Sequence, residues 1–158
     1  MIVVADTSPI LYLILINQAG LLQSIYGEVI IPEAVADELR AAQSPSPVQT
    51  WIANPPAWAQ VKAVTSEQLH TVTAELDPGE RAAIALADAL SADFLLIDDA
   101  RGRAEARRRQ LAVTGTLGVL RTAAERGLID VPVVIARLRT TSFYVEAALV
   151  DELFGAWL

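Results

Sequence analysis

A chain of 158 residues, 53% of them hydrophobic, has enough apolar material for one buried core, and this composition excludes a disordered chain. It has no cysteine, which rules out a disulfide framework, a thiolate metal site and a cysteine nucleophile, and its net charge of −7 works against indiscriminate binding to a phosphate backbone. The first six residues carry no positive segment, and the apolar run 10–16 is far shorter than the ~20 residues of a membrane span, so a cytoplasmic protein without a membrane contact is expected.

Residues 2–5 are a short apolar run with two β-branched valines, and they read as a buried strand ending at Asp6-Thr7-Ser8-Pro9. Pro9 suits the first turn of a helix that continues over 10–16, with Gly20 just beyond its end. Residues 28–31 form a second strand stopped by Pro32. A helix follows over 33–42, with Val35 and Leu39 four apart on its inward stripe. The stretch 44–56 holds four of the eight prolines, so its regular structure should be limited to a turn anchored by Trp51 and Ile52. Residues 60–64 are a candidate third strand with Val61 and Val64 as its apolar positions. Leu76-Asp77-Pro78-Gly79-Glu80 is a helix start with Asp77 at the N-cap, Pro78 at N1 and Glu80 at N3. Residues 94–97 form a fourth strand and 101–110 an arginine-rich helix. A fifth strand, 111–113, ends at Thr114-Gly115-Thr116, a helix covers 117–126 with Gly127 as its stop, and two more helices cover 133–138 and 144–154. Strands that alternate with helices in this way build a mostly parallel sheet of four to five strands covered on both faces, a three-layer αβα sandwich forming one domain over 1–158.

In such sheets functional groups gather at the carboxyl ends of the strands. Asp6 ends the first strand, and Asp98 and Asp99 end the fourth. Glu80 stands in the first turn of the helix leading to the fourth strand, and Glu38 lies on the helix after the second, beside Leu39. Converging carboxylates repel one another unless a cation binds between them, and oxygen-only donors suit Mg²⁺ or Mn²⁺. Each acid also has a purely structural reading. Glu80 fits a capping box with Asp77, Glu38 fits a solvated helix face, and Asp98-Asp99 fits a helix cap. Asp6 is the hardest to explain that way, because a charge directly after a buried strand is costly unless it is paired or functional. The one histidine, His70, falls in a segment expected to be exposed, without a catalytic partner.

Arg101 and Arg103 lie nearest Asp99 and suit contacts with a phosphate backbone, whereas Arg109 suits pairing with Glu105. Thr7, Ser8, Thr114 and Thr116 stand at strand ends, where their hydroxyls can hold a phosphate oxygen or cap a helix.

The segments VVADTSPILYL, VIIPEAVADEL, LDPGERAAIALA, LLIDDARGRAEA and VTGTLGVLRTAAERGLI, in this order, resemble the PIN superfamily. They are most similar to a prokaryotic branch related to toxin ribonucleases of type II toxin–antitoxin systems, and the likeness covers residues 2–154. The resemblance implies a metal-dependent ribonuclease site. Its first aspartate falls on Asp6, with Ser8 beside it, its second acid on Glu38 and its third on Glu80, where better-studied relatives often carry aspartate. Its fourth acid falls on the Asp98-Asp99 pair, with Asp99 favoured by spacing, and Thr116 faces the site. It also implies a small antitoxin protein as partner and a homodimer. The function expected from the resemblance and the acids together is a Mg²⁺- or Mn²⁺-dependent endoribonuclease. Asp6, Glu80 and Asp99 would hold the metal, Glu38 and Asp98 would complete the shell or orient water, and Arg101 and Arg103 would steer RNA. The alternatives are a PIN-like binding module without catalysis, and a phosphotransferase using Asp6 as nucleophile, which would call for an Asp-x-Asp signature that Asp6-Thr7-Ser8 does not supply.

Overall fold

The computed structural model describes residues 1–158. Its centre is a five-stranded, wholly parallel sheet formed by β1 (Val3–Ala5), β2 (Val29–Pro32), β3 (Ala59–Lys62), β4 (Phe94–Leu96) and β5 (Val113–Thr114), in the order β3-β2-β1-β4-β5. The register runs Val4 against Ile30 on one side of β1 and Val3, Val4 and Ala5 against Phe94, Leu95 and Leu96 on the other. β1 is therefore the strand from which the order departs in both directions, the switch point where such sheets open a crevice.

Ten α-helices cover the sheet: α1 (Thr7–Leu15), α2 (Gly20–Tyr26), α3 (Glu33–Arg40), α4 (Ser46–Ala53), α5 (Ser66–His70), α6 (Pro78–Ala89), α7 (Ala100–Arg108), α8 (Thr116–Glu125), α9 (Val131–Arg139) and α10 (Ala147–Phe154). Strand side chains alternate between the two faces. Val3, Ala5, Val29, Ile31 and Leu96 join the larger cluster with α1, α4, α8 and Phe154, while Val4, Leu95 and Ile97 join α6 and Ala106 of α7 on the opposite face. Both clusters are buried, so the sheet is the middle layer of three, as its continuous apolar strands require.

Several boundaries depart from those read in the sequence. The first helix is ended by Asn17, which takes a left-handed φ of 60°, and Gly20 opens a further helix, α2, instead of lying in a connection. The proline-rich stretch holds a full helix, α4, because Pro45 is at its N-cap and Pro47 lies in its first turn, where a missing N–H costs nothing. β3 starts one residue earlier than expected and stops at Lys62, and at the edge of the sheet it buries only its first residue. Ala59 is buried and Val61 is 37% exposed, as an edge strand allows. The last helix begins at Ala147, which leaves Tyr144 in an irregular segment. No helix is long and apolar enough to cross a membrane.

Candidate active site

β1 delivers Asp6 to the carboxyl edge of the sheet. Its N–H donates to Leu96 O at 2.8 Å, which locks the residue between β1 and β4, and it is only 4% exposed. Its Oδ1 is buried without a hydrogen-bond partner. Burial pushes the carboxyl up to about 8. The neighbouring Glu80, Asp77 and Glu38 push the same way, against the Thr7 backbone N–H, which holds the charged form.

Glu80, in the first turn of α6, is the second perturbed acid. It is raised to about 7, first by desolvation, then by Asp77, by Asp99, by a hydrogen bond with Asp77 and by Glu38. Asp77 caps α6, accepting the Glu80 N–H at 2.9 Å, and Asp99 caps α7, accepting the Gly102 N–H at 2.9 Å. The starts of α6 and α7 thus bring Asp77, Glu80 and Asp99 to the carboxyl edge beside Asp6, where Asp77 and Glu80 act on Asp6, and Asp77 and Asp99 on Glu80.

Glu38 has a different position. Its Oε2 accepts the Thr7 hydroxyl and its Oε1 accepts the Gly79 N–H at 3.0 Å, so one side chain ties α1, α3 and α6 together. The carboxylate lies so close to the backbone that a Cβ at position 79 would stand 2.5 Å from Oε1, and glycine is what permits the approach.

Asp98 is engaged elsewhere. Its two oxygens accept the Thr116 N–H and the Thr116 hydroxyl, each at 2.7 Å, and so cap α8. Burial raises its pKa, opposed by these two bonds and by Arg103. Thr116 is fully buried beneath it. Arg103 is half-buried and donates from Nη1 to Ile97 O at 3.1 Å. Arg101 is exposed, 3.8 Å from Glu75, and Ser8 is half-buried in the first turn of α1. His70 is exposed on α5. Arg109 pairs with Glu105 at 3.0 Å and Asp88 at 2.8 Å, joining α7 to α6.

Sequence reasoning treated Asp77 only as a cap and did not see Thr7 and Gly79 as partners of Glu38. A glycine inside the first turn of a helix, where it lowers helix propensity, was the available signal.

No three His, Cys, Asp or Glu side chains are gathered tightly enough to form a ready-made ligand set. The cleft nevertheless suits a hard cation. Its donors are all oxygens, one buried carboxylate oxygen lacks any partner, and the two most perturbed acids are disfavoured as anions by burial and by each other.

A family model described as a PIN domain matches residues 2–157. No curated protein and no solved structure matched the chain. PIN domains are generally metal-dependent nucleases, so the fold is a nuclease fold and its ligand class is nucleic acid.

Proposed function

We propose that this chain, which belongs to the PIN-domain family, is an endoribonuclease that hydrolyses phosphodiester bonds with Mg²⁺ or Mn²⁺ held by Asp6, Glu80 and Asp99. The observation that carries the reading is the buried, unpartnered Oδ1 of Asp6 at the sheet's switch point, with Glu80 raised beside it. Held by these residues, a divalent ion would supply Lewis-acid activation of water and charge stabilisation on the phosphodiester.

The chain's own residues divide into two groups. Asp6, Glu80, Asp99 and the adjacent Asp77 present oxygens to the cleft. Glu38 and Asp98 serve from behind it. Glu38 fixes the starts of α1 and α6 that carry Thr7 and Glu80, and Asp98 fixes Thr116 at the start of α8. Asp99 is thus favoured over Asp98 as the fourth acid of the site, since only Asp99 acts on Glu80 and Asp98 has both oxygens engaged. Arg101 and Arg103 offset part of the negative charge and draw the RNA backbone towards the acids.

The assay is digestion of mixed RNA by wild type and Asp6→Asn, with Mg²⁺ or Mn²⁺ and with EDTA. Cleavage by wild type, abolished by EDTA and in the variant, is the expected result. A folded wild-type protein that cleaves nothing with either metal would sink the nuclease reading.

The cellular role that fits this activity is the toxin half of a toxin–antitoxin pair, cytoplasmic and homodimeric, with a small antitoxin that fills the acidic cleft with a basic side chain. Expression of the chain alone should arrest growth, and co-expression of a neighbouring short reading frame should relieve the arrest. Growth unaffected by an active nuclease would remove the toxin assignment. A second reading, a PIN-like binding module without catalysis, is favoured by the absence of a closed three-carboxylate ligand set. Failure of Mn²⁺ to raise the melting temperature would select it.

A further inference from the structure

Beside the acidic cleft lies a groove of about 640 Å³ that the proposed chemistry does not use. Its floor comes from β5 and the start of α8, and its walls from Tyr12 of α1 and the segment Ser142–Tyr144 before α10. The Tyr12 hydroxyl and Ser142 Oγ are hydrogen-bonded at 2.9 Å, and the rings of Tyr12 and Phe143 meet edge to face at 4.9 Å. The Phe143 N–H donates to Thr141 Oγ1 at 3.2 Å, a local turn next to that contact. Tyr144 follows directly and is 82% exposed, a large ring with little packed over it.

The groove has one polar end, made by Arg103 and Asp98. Asp98 is saturated by Thr116, while Arg103 uses only Nη1, towards Ile97 O, and leaves Nε and Nη2 without a protein acceptor. The next residue along the chain, Asp99, is the one whose charge acts on Glu80 in the cleft. The turn after β4 therefore carries one residue of the groove, Asp98, next to one of the acidic group, Asp99.

Resting on the ribonuclease reading, we infer that this groove binds a nucleotide of single-stranded RNA flanking the scissile phosphate, its base stacked on Tyr144 and its phosphate on Arg103. The volume falls in the roughly 300–1,000 Å³ range of small-molecule pockets, enough for one nucleotide. An aromatic face beside a guanidinium is the pairing that single-stranded nucleic acid uses, with the ring taking the base and the cation the backbone. A paired duplex would not fit, because its bases are stacked on one another and unavailable to Tyr144. The flanking base therefore contributes to affinity while sequence recognition stays loose.

The probe is a fluorescein-labelled single-stranded RNA hexamer with a set of abasic derivatives, bound to Asp6→Asn protein so that no cleavage occurs, and read by anisotropy. Tyr144→Ala in that background should weaken binding roughly five- to hundred-fold, and Tyr144→Trp should retain it. One abasic position should lose the same factor on the parent and nothing further on Tyr144→Ala. Because Tyr144 is exposed, the variant should melt with the parent. Equal hexamer affinity for parent and Tyr144→Ala would overturn the groove assignment alone, leaving the nuclease reading to the cleavage assay. Unchanged RNA affinity with altered sedimentation would give the groove to a protein contact instead. No binding of any hexamer also overturns the assignment, and wild-type cleavage then decides the nuclease reading separately.

Discussion

Replacing Asp6 by Asn should stabilise the metal-free protein, and more so as the pH rises. In the folded chain the Asp6 carboxyl sits at about 8 against an ordinary 3.8. Between those values the folded state keeps the proton that the unfolded chain has released, so stability falls with rising pH by up to about 1.4 kcal/mol per unit. Asparagine has nearly the same shape and no proton to lose, so this slope disappears in the variant. From pH 6 to pH 8 the variant should gain about 2–3 kcal/mol on wild type, which for a domain of this size is roughly 5–10 °C in melting temperature. Mn²⁺ should narrow the difference. Saturation at a hundred times its Kd stabilises a binding-competent native state by about 2.7 kcal/mol, and the variant should gain little. Proton release should make the Mn²⁺ effect on wild type larger at pH 8 than at pH 6, since Asp6 and Glu80 must ionise to bind. Thermal melts of both proteins at the two pH values, with and without Mn²⁺, supply the comparison. Parallel pH profiles, or equal stabilisation of the variant by Mn²⁺, would refute the reasoning.

The two adjacent aspartates should separate cleanly. Asp98→Ala leaves the buried Thr116 hydroxyl and N–H without acceptors and should cost about 1–3 kcal/mol in a chemical melt. Asp99→Asn keeps a good N-cap for α7, so the fold should melt within about 0.5 kcal/mol of wild type while the Mn²⁺-induced stabilisation shrinks. Gly79→Ala gains about 1 kcal/mol of helix propensity but places a Cβ 2.5 Å from Glu38 Oε1. Breaking that charged hydrogen bond costs about 1.5–3 kcal/mol, so a net loss of stability together with lower activity is expected, and a more stable, fully active variant would show that Glu38 moves freely. Arg101→Ala should leave stability within about 0.5 kcal/mol, because its ion pair is exposed, while reducing the salt slope of RNA binding by about 0.7. An unchanged slope would remove Arg101 from the RNA path.

The parts of the fold legible in the sequence are those with a local physical signature. β1 and β4 are short apolar runs ending in acids, and α6 announces itself by Asp77 at the cap and Pro78 after it. α5 carried a signal that was passed over, the Thr65 and Gln68 pair of a capping box, because the helix has no buried residue to give it an apolar stripe. The burial of β3 was not legible, since at an edge strand only Ala59 is covered while Val61, on the same face, is left 37% exposed. Around the proposed site, the places of Asp6 after β1, Glu80 in the first turn of α6 and Asp99 at the cap of α7 follow from local patterns. The diversion of Asp98 to Thr116 and of Glu38 to Thr7 and Gly79 does not, because it depends on how close three helix starts come after packing.

In the proposed mechanism one metal-loaded acidic cleft does the cutting. The measurement that tests it most directly is a Mn²⁺ titration of EDTA-stripped protein, following the cleavage rate of a labelled RNA and the melting temperature in parallel. Wild type should show both rising to saturation with one shared midpoint, and Asp6→Asn and Glu80→Gln should lose both together. Cleavage that saturates at a different midpoint, or that persists in Asp6→Asn, would place the chemistry elsewhere.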